Sequence, residues 1–246
     1  MSIERTSALI LRKIPHSETS EILNVISPDF GKLALIAKGS RRQKSQFAGI
    51  LIPLQLLQLD YYHKSTRSIQ NLKEASITER FQNIQNDLEH STIATIMTEI
   101  TLKTAQENTE TKDKFSFLVN AFRHLNKPCK YPTNALIRFW LRWLDLAGYR
   151  PNFSACEHCK NQLSRANFST QTGDIYCHRC ANKSNISENT LAVLRDFQNT
   201  KTDNIDAQIN KKISKEGLVF LTQFSKFHIE TMSNLKSLII YNRMFS

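Results

Sequence analysis

Residues 31–45 of the chain read GKLALIAKGSRRQKS and join an alternating segment to a strongly basic one. From Gly31 to Ala37 the chain alternates, with Leu33, Leu35 and Ala37 on one side and Lys32, Ala34 and Ile36 on the other, which is typical of a strand. Gly39 ends this strand pattern, and several cations lie on either side of it with no acid nearby. These cations are Lys38, Arg41, Arg42 and Lys44. Because like charges at this spacing repel one another, either water solvates the segment or a polyanionic partner neutralises it.

The overall charge favours a polyanionic partner. The 246 residues carry a formal net charge of +11, from 33 Lys and Arg against 22 Asp and Glu. An excess of this size is typical of proteins that bind nucleic acid, an anionic membrane surface or an acidic protein segment, and it does not choose among them. The hydrophobic content of 40% is ordinary for a folded protein.

The start of the chain, MSIERTSALILRKIPHSE, contains an acid at Glu4 and lacks the long apolar centre of a signal peptide. No apolar run reaches the roughly 18 residues that a membrane-spanning helix needs, so we expect no membrane partner. We therefore expect a cytoplasmic protein. In that reducing compartment, its five cysteines are metal ligands or free thiols more often than disulfides.

Residues 1–75 have the pattern of a small antiparallel β-barrel. Turn residues separate the first strands, and the segment SPDFG over Ser27–Gly31 is a good hairpin signal in which Gly31 supplies a positive φ. Five short strands in this length favour a Greek-key barrel of the OB type, with an SH3-like barrel as the alternative. The predicted strands are Thr6–Ile14, Thr19–Ser27, Lys32–Lys38, Leu54–His63 (apolar at both parities) and Ser68–Ala75.

From about residue 80 a 3.6-residue period replaces the alternation and predicts a helical second part. The strongest helix begins at Pro132, and its wide apolar stripe places Trp140 and Trp143 in a core. The predicted helices are Asp87–Gln106 with Leu88 facing inward, Lys112–Leu125, Pro132–Ala147, Ser187–Asn199 with Ser187 as N-cap, and residues 213–233 with Phe227 and His228 facing inward. Thr200–Asn210 is expected to be a polar linker, and Leu235–Met244 an apolar and basic tail.

Two CxxC knuckles carry the clearest chemistry of the chain, and 17 residues separate them. This spacing is found in zinc ribbons, and the intervening Phe168–Tyr176, FSTQTGDIY, predicts a hairpin that turns at Gly173. Four thiolates fill a tetrahedral site and leave no position for water, so a structural zinc ion, one per chain, is favoured over a catalytic one. Disulfides and free thiols are the alternatives. The predicted ligands are Cys156, Cys159, Cys177 and Cys180.

The other candidate ligands are secondary. His158 and His178 lie inside the knuckles and could substitute for a thiolate, although an all-cysteine set needs neither. Cys129 stands apart from the knuckles and is expected to be a bystander.

Motifs of the common enzyme classes are missing from the sequence. It contains no GxxxxGK[ST] loop, no GxSxG elbow and no HExxH pair, and the HxE element of zinc deaminases does not precede a cysteine pair. We therefore expect a protein without catalytic activity. A metal-dependent nuclease would need an open coordination position, which four cysteines do not leave.

Three stretches, taken together, resemble a known family. Lys38-Gly39 followed by Arg41, Arg42 and Lys44, then LDLAGYRP over Leu144–Pro151, then the two knuckles are similar to the RecO family of bacterial DNA repair and recombination mediators. The likeness covers essentially the whole chain and is far more specific than either cysteine pair. It implies an N-terminal OB fold, a helical domain and a zinc-ribbon insert.

The resemblance also implies a function without catalysis. It implies binding of single- and double-stranded DNA, annealing of complementary strands and, together with RecR, help in loading RecA onto single strands coated by the single-stranded-DNA-binding protein, SSB. Contact with the acidic C-terminal tail of SSB and a place in the bacterial nucleoid are implied as well. The residues alone leave open a zinc-ribbon adaptor whose basic surface binds acidic proteins, with DNA binding incidental.

These expectations describe an α+β multidomain chain with an OB domain over residues 1–80 and a helical domain over residues 81–246. The zinc-binding ribbon is expected as an insert at residues 153–183.

The roles of individual residues follow from the fold and the resemblance. Because loops of an OB barrel flank its nucleic-acid face, the opening cations Lys38, Arg41, Arg42 and Lys44 are predicted to hold phosphates. Tyr61, Tyr62 or Phe47 could stack a base, although Phe47 is more typical of a core. The predicted cations for the SSB tail are Arg138 and Arg142, one helical turn apart. A second basic surface, or a solvated helix face, is formed by Lys211, Lys212, Lys215 and Lys226.

Overall fold

The computed structural model of the chain describes residues 2–107, 109–128, 131–199 and 210–245. The strands are β1 Ser2–Pro15, β2 Glu21–Ser27, β3 Gly31–Ala37, β4 Gln55–His63, β5 Ile69–Arg80, β6 Ala166–Phe168 and β7 Ile175–Cys177. The helices are α1 Gln82–Asn86, α2 Leu88–Thr104, α3 Lys112–Leu125, α4 Pro132–Leu146, α5 His178–Ala181, α6 Glu188–Asn199, α7 Lys211–His228 and α8 Lys236–Phe245, with a 3₁₀ turn at Glu230–Met232.

The first five strands close into a barrel in the order β1-β2-β3-β5-β4. Neighbouring strands of the barrel are antiparallel except for β3 and β5, which pair in parallel. The chain therefore crosses over between β3 and β4 instead of forming a hairpin there. This Greek-key arrangement of five strands is that of the OB type, and it confirms the predicted fold class against the SH3-like alternative.

The interior of the barrel is built from the alternating residues of its strands. In β3 the side chains of Leu33, Leu35 and Ala37 are buried inside the barrel, as the alternation predicts, and Ala34 and Ile36 lie on the other face. At the β2–β3 turn Gly31 has a φ of +61°, and a Cβ there would lie 2.5 Å from the carbonyl oxygen of Thr109. No other residue fits this position without a backbone shift, because the left-handed φ and the close approach both exclude a side chain.

The outside of the barrel carries a second apolar layer along β1. Ala8, Leu9, Ile10 and Leu11 are all buried, since the barrel interior covers one face and α2 packs against the other. By contacts within the chain, α1, α2 and α3 group with the barrel in one compact unit, Met1–Lys127. The domain boundary expected at residue 80 coincides with the end of β5, and as a division between domains it stays a prediction.

The predicted helix over Asp87–Gln106 corresponds to α2 alone, which begins one residue later and is preceded by the short helix α1. Asp87 separates α1 from α2, and its side chain caps α2 by accepting a hydrogen bond from the backbone N–H of His90. Leu88 is therefore the first residue of α2 and points to solvent with 60% of its surface exposed. The prediction that Leu88 faces inward was wrong because, at about 100° per residue, Leu88 lies about 140° around the helix from Ile93, the first buried residue of α2.

The second unit, Pro128–Ser246, is organised around α4, which packs against α6 and α7. Trp140 and Trp143 are buried as predicted, and the Trp140 indole donates a hydrogen bond to the hydroxyl of Ser225 on α7. Gly217 of α7 faces Ile137 of α4, whose side chain would lie at an ordinary contact distance of 3.5 Å from a Cβ at this position. No helix among the described residues combines the length and apolar character needed to cross a membrane.

A small two-stranded sheet, β6 and β7, packs on α7 and forms the predicted hairpin. Phe168 contacts the rings of Phe220 and Phe224, and the imidazole of His228 forms a hydrogen bond with the carbonyl of Gly173. Phe227 lies against Gly173 but keeps 44% of its surface exposed, so its predicted inward orientation was wrong. The predicted linker Thr200–Asn210 lies outside the described residues, apart from Asn210, which caps α7.

Glu216 ties the start of α6 to α7. Its carboxylate accepts hydrogen bonds from the backbone and hydroxyl of Ser187, at 3.1 and 2.6 Å, and from the hydroxyl of Thr190 at 2.6 Å. Burial disfavours the charged form, but the hydrogen bonds from Ser187 and Thr190 outweigh burial and lower the pKa of Glu216 below its ordinary value. Ser187 also caps α6 as predicted, through its hydroxyl and the N–H of Thr190.

Replacing this carboxylate should therefore cost stability only where it is ionised. We expect Glu216→Gln to lower the free energy of unfolding at neutral pH by about 1–3 kcal/mol, since charge-assisted hydrogen bonds are lost. Because the folded-state pKa is lowered, the contribution is complete above the ordinary value of 4.5 and disappears as the pH falls through the folded value. Urea unfolding of both proteins at neutral and acidic pH measures this. Glu188→Gln, at an exposed acid in the first turn of α6, is the control, and an equal loss in both variants would contradict the assignment.

Candidate nucleic-acid interface and metal centre

The connection between β3 and β4, residues 38–54, is hereafter the basic loop. It carries the four predicted phosphate-binding cations, and the barrel holds its first residues in place. The Ser40 hydroxyl donates to the carboxylate of Glu21 at 2.9 Å, and the backbone N–H of Arg41 donates to the carbonyl of Thr19 at 3.0 Å. Gly39, with a φ of +72°, allows the turn that leaves the strand.

The far part of the basic loop is anchored in the barrel core. Phe47 and Leu51 are buried in the same cluster as the inward residues of β1–β5, so the loop covers one end of the barrel. The ammonium group of Lys13 donates to the carbonyl of Leu51 at 2.9 Å and pairs with Glu21. Phe47 is therefore a core residue, as the sequence favoured, and is excluded from base stacking.

The cations of the basic loop point outward from this anchored backbone. Lys38, Arg41, Arg42 and Lys44 are all exposed. Within the described parts of the chain, Lys38, Arg42 and Lys44 make no ion pair or side-chain hydrogen bond. Arg41 donates one guanidinium N–H to the carbonyl of Ser17 at 2.8 Å, which fixes the side chain and leaves its other donors available. The basic loop therefore holds several positive charges in fixed positions at one end of the barrel.

Sequence reasoning missed a second pair of cations in the loop between β4 and β5, residues 64–68. Lys64 and Arg67 are exposed there, and Gln70 shapes the loop beneath them. The buried Gln70 amide accepts from the N–H of Lys64 and donates to the carbonyls of Lys64 and Arg67. In the sequence, this loop is the segment KSTRS at residues 64–68, which contains two cations and no acid. So short a segment cannot be distinguished from an ordinary turn by its sequence.

A row of outward-facing residues crosses the barrel between these two loops. Strand register places Ile22 beside Ile36, Ile36 beside Asn71, Asn71 beside Tyr62, and Tyr62 beside Ile3. Tyr62 is half-buried and is the aromatic of this row, whereas Tyr61 is fully buried and points into the barrel. Of the three aromatics considered for base stacking, only Tyr62 is thus in a position to meet a ligand.

The four knuckle cysteines come together in the second unit. Their sulfur atoms all lie within 4.8 Å of one another, and those of Cys159 and Cys177 are 3.8 Å apart. Four thiolates at about 2.3 Å from a tetrahedral metal ion would stand about 3.8 Å from each other. Lys160 and Asn182 follow the two knuckles in the left-handed region, with φ of 57° and 53°, which lets each turn close. The set fits a metal ion.

The surroundings of the sulfur atoms favour thiolates. Burial raises the pKa of Cys156, but hydrogen bonds from the backbone of Cys159, Cys177 and His158 outweigh it and lower the pKa to about 6. The pKa of Cys177 is also lowered, chiefly by the backbone N–H of Cys180. Hydrogen bonding with the neighbouring sulfurs raises the pKa of Cys180 to about 12, so this thiol keeps its proton in the metal-free site. Zinc would displace it.

The remaining predicted residues are not brought into these sites. His178 is exposed beside the second knuckle, and His158 lies 3.6 Å from Cys180 through Nδ1. Arg142 donates to Asp145 at 2.8 Å, and Arg150 donates to the same carboxylate at 2.7 Å. Arg138 is half-buried on α4. Cys129 lies outside the described residues, and the assignment of Arg138 and Arg142 to an acidic tail stays a prediction.

Comparison with known proteins decides the family. The family model described as Recombination protein O N terminal matches residues 1–81, and Recombination protein O C terminal matches residues 85–239. The chain belongs to the RecO family. A relative named DNA repair protein RecO from Thermoanaerobacter sp. is 25% identical and covers 97% of this chain and 98% of its own. One of the same name from Desulfosudis oleivorans is 27% identical over 96% of both chains.

A third relative has a higher identity over a shorter stretch of the chain. The DNA repair protein RecO of Salinibacter ruber is 35% identical, over 51% of this chain and 48% of its own. The lower identities of the full-length RecO relatives extend over both matched regions, so the barrel and the helical unit are both covered by the likeness.

Proposed function

We propose that this protein is a non-catalytic DNA repair and recombination mediator that binds single- and double-stranded DNA, anneals complementary strands and, with RecR, helps load RecA onto SSB-coated single strands. The family assignment supports the DNA repair role. The observation that carries the DNA-binding part is the basic loop, whose outward cations are fixed at the end of an OB barrel. The cytoplasm, at the nucleoid, is the compartment we propose.

The geometry suits annealing because it offers phosphate contacts and no device for reading base pairs. Lys38, Arg42 and Lys44 have free cationic ends on a turn-rich loop, and no helix of the first unit carries them. Contacts of this kind hold the backbone and are indifferent to sequence. Two strands held by their phosphates keep their Watson–Crick edges available for each other.

Strand annealing tests the proposal directly. Complementary fluorescently labelled oligonucleotides should pair faster with the full-length protein than without it, and the acceleration should fall steeply as salt rises. If four phosphates are contacted on single strands, the slope of log binding constant against log salt should be about −3. Binding that is insensitive to salt, or no acceleration at any salt concentration, would contradict the proposal.

The metal centre is proposed to be a structural zinc site, one per chain. Four cysteines are the ligand set that zinc prefers in structural sites, and they leave no coordination position for water or substrate. When bound, zinc would cross-link the two knuckles. The two buried ligands, Cys156 and Cys177, would hold the ion next to the β6–β7 sheet. Phe168 of this sheet contacts Phe224 of α7, so the ion would also stabilise the packing of the ribbon on that helix.

For the acidic SSB tail, the second unit offers a cavity that pairs cations with apolar walls. This cavity, of about 360 Å³, is lined by Lys211 and Lys215 together with Tyr131, Leu218 and Phe245 among others. Lys211 and Lys215 are exposed and make no ion pair with any described residue. An acidic peptide with an apolar end matches this lining. Arg142, by contrast, is already paired with Asp145.

A charge reversal separates the two candidate locations. We expect Lys215→Glu to weaken binding of a labelled SSB-tail peptide about tenfold, because one attractive contact becomes repulsive. Lys226→Glu, at an exposed lysine of the same helix outside the cavity, is the matched control and should change affinity little. Loss of peptide binding in Arg138→Glu, with Lys215→Glu unaffected, would instead place the tail on α4.

A further inference from the structure

A second cavity, of about 530 Å³, is lined mainly by the ribbon, with one residue of α7 at its border. Its volume is typical of sites that hold a small organic group. The sheet contributes Asn167 and Tyr176, α7 contributes Gln223, and Lys183 follows the second knuckle at the edge. Among the described residues that line this cavity none is acidic, and amide and hydroxyl groups predominate. The cavity therefore suits a polar ligand that is neutral or anionic.

The side-chain amide of Asn167 is the evidence that this cavity binds a ligand. Only 4% of its surface is exposed, and its side-chain oxygen has no hydrogen-bond partner among the described residues. Buried amides are normally paired, because an unpaired one loses its hydration without compensation. The neighbouring Asn185 shows the usual arrangement, since its amide bonds both the N–H and the carbonyl of Phe168. A group bound in the cavity would supply the partner that Asn167 lacks.

Tyr176 stands next to this amide. Asn167 and Tyr176 are directly opposite each other in the β6–β7 pair, so their side chains share one face of the sheet. The Tyr176 hydroxyl is held by Asp174 at 3.1 Å and by Thr172 at 3.0 Å, which fixes the ring. A fixed aromatic ring beside an amide is the combination that stacks a base and bonds its edge.

The charge around the cavity favours a nucleotide. Lys183 and Arg179 are exposed and unpaired within the described ranges. Of the acids of the ribbon, Glu157 pairs with Lys160, and Asp174 accepts a hydrogen bond from the Tyr176 hydroxyl. A phosphate beside a bound base would find the Lys183 cation at the edge of the cavity.

We propose that this cavity receives one unstacked base of single-stranded DNA, with Tyr176 against its face, the amides of Asn167 and Gln223 at its edge, and Lys183 at the adjacent phosphate. The inference rests on the proposed DNA-binding function and deepens it. The basic loop holds the backbone, whereas the ribbon cavity holds a base.

The test separates base contacts from phosphate contacts. Fluorescence anisotropy of the full-length protein is measured with two oligonucleotides of equal length, one of thymidines and one of abasic sugar-phosphates. The wild-type protein should bind the thymidine strand about tenfold more tightly. Asn167→Ala and Tyr176→Leu should each lower that ratio at least threefold, and Tyr176→Phe should preserve it because the ring remains.

A merely structural role for these residues predicts a different result. Asn167→Ala deletes an unpaired buried group, so its melting temperature and metal content should match or exceed those of the wild-type protein while the base preference falls. An unchanged ratio in Asn167→Ala and Tyr176→Leu overturns the inference and leaves the DNA-binding function standing. Failure of the wild-type protein to bind either oligonucleotide overturns both.

Discussion

Serine in place of Cys177 is expected to abolish metal binding and to unfold the ribbon. The residue is buried, its sulfur lies 3.8 Å from that of Cys159, and its N–H donates to the sulfur of Cys156. Structural zinc in comparable small sites contributes about 10–16 kcal/mol of binding free energy, which is also folding free energy for the segment it closes. With one ligand lost, the two knuckles are no longer held together.

The consequences should extend into the helical unit. Phe168 packs on Phe220 and Phe224 of α7, so a ribbon that opens removes apolar cover from that helix. We expect a lower melting temperature and rapid proteolysis within residues 153–183. Elemental analysis should give about one zinc per chain in the wild-type protein and well under one in Cys177→Ser.

The control for this experiment is Cys129→Ser, a change of the same chemistry outside the knuckles. It should leave zinc content and proteolytic resistance unchanged. Well under one metal per chain in the wild-type protein, purified under reducing conditions, would refute the four-cysteine site outright.

Charge reversal in the basic loop is expected to produce the largest loss of DNA binding. Arg41→Glu combined with Arg42→Glu removes two of the four predicted phosphate contacts and adds repulsion. The slope of log affinity against log salt should fall from about −3 to about −1.4, and affinity for single strands at low salt should drop ten- to a hundredfold. Anisotropy titrations at several salt concentrations measure both quantities.

A matched variant controls for the change in net charge. Lys112→Glu with Lys127→Glu alters the charge by the same amount at two exposed lysines of the first unit. Its salt slope should remain close to that of the wild-type protein. Equal slopes for wild type and the Arg41/Arg42 variant would show that the basic loop does not contact phosphates.

Much of this architecture was readable from sequence because the periodicities are strong. The helix Lys112–Leu125 was predicted to the residue, and the alternation in β3 matched its burial. The number and length of the strands favoured an OB barrel but left the SH3-like alternative open, and the parallel pairing of β3 with β5 decided between them. The four candidate metal ligands were also predicted from local pattern, because two CxxC pairs at this separation are typical of zinc sites.

What sequence could not supply were the contacts between distant segments. The role of Gln70 under Lys64 and Arg67 depends on the turn between the paired strands β4 and β5. The burial of the Asn167 amide without a partner depends on how the ribbon packs. The error at Leu88 was of another kind, because it came from misjudging a helix face and not from a distant contact. The pairing of Arg142 with Asp145 is different, because its i,i+3 spacing and opposite charges are visible in the sequence, but the sequence analysis assigned Arg142 to the SSB tail and missed the pair.

The anchoring of the basic loop has a calorimetric consequence. Phe47 and Leu51 sit in the barrel core, and Ser40 and Arg41 are bonded to neighbouring strands, so the loop is ordered when the barrel folds. The basic loop therefore loses little conformational entropy when DNA binds, and little apolar area is buried in the complex. Binding should therefore show a heat-capacity change near zero, unlike the large negative value of segments that fold as they bind.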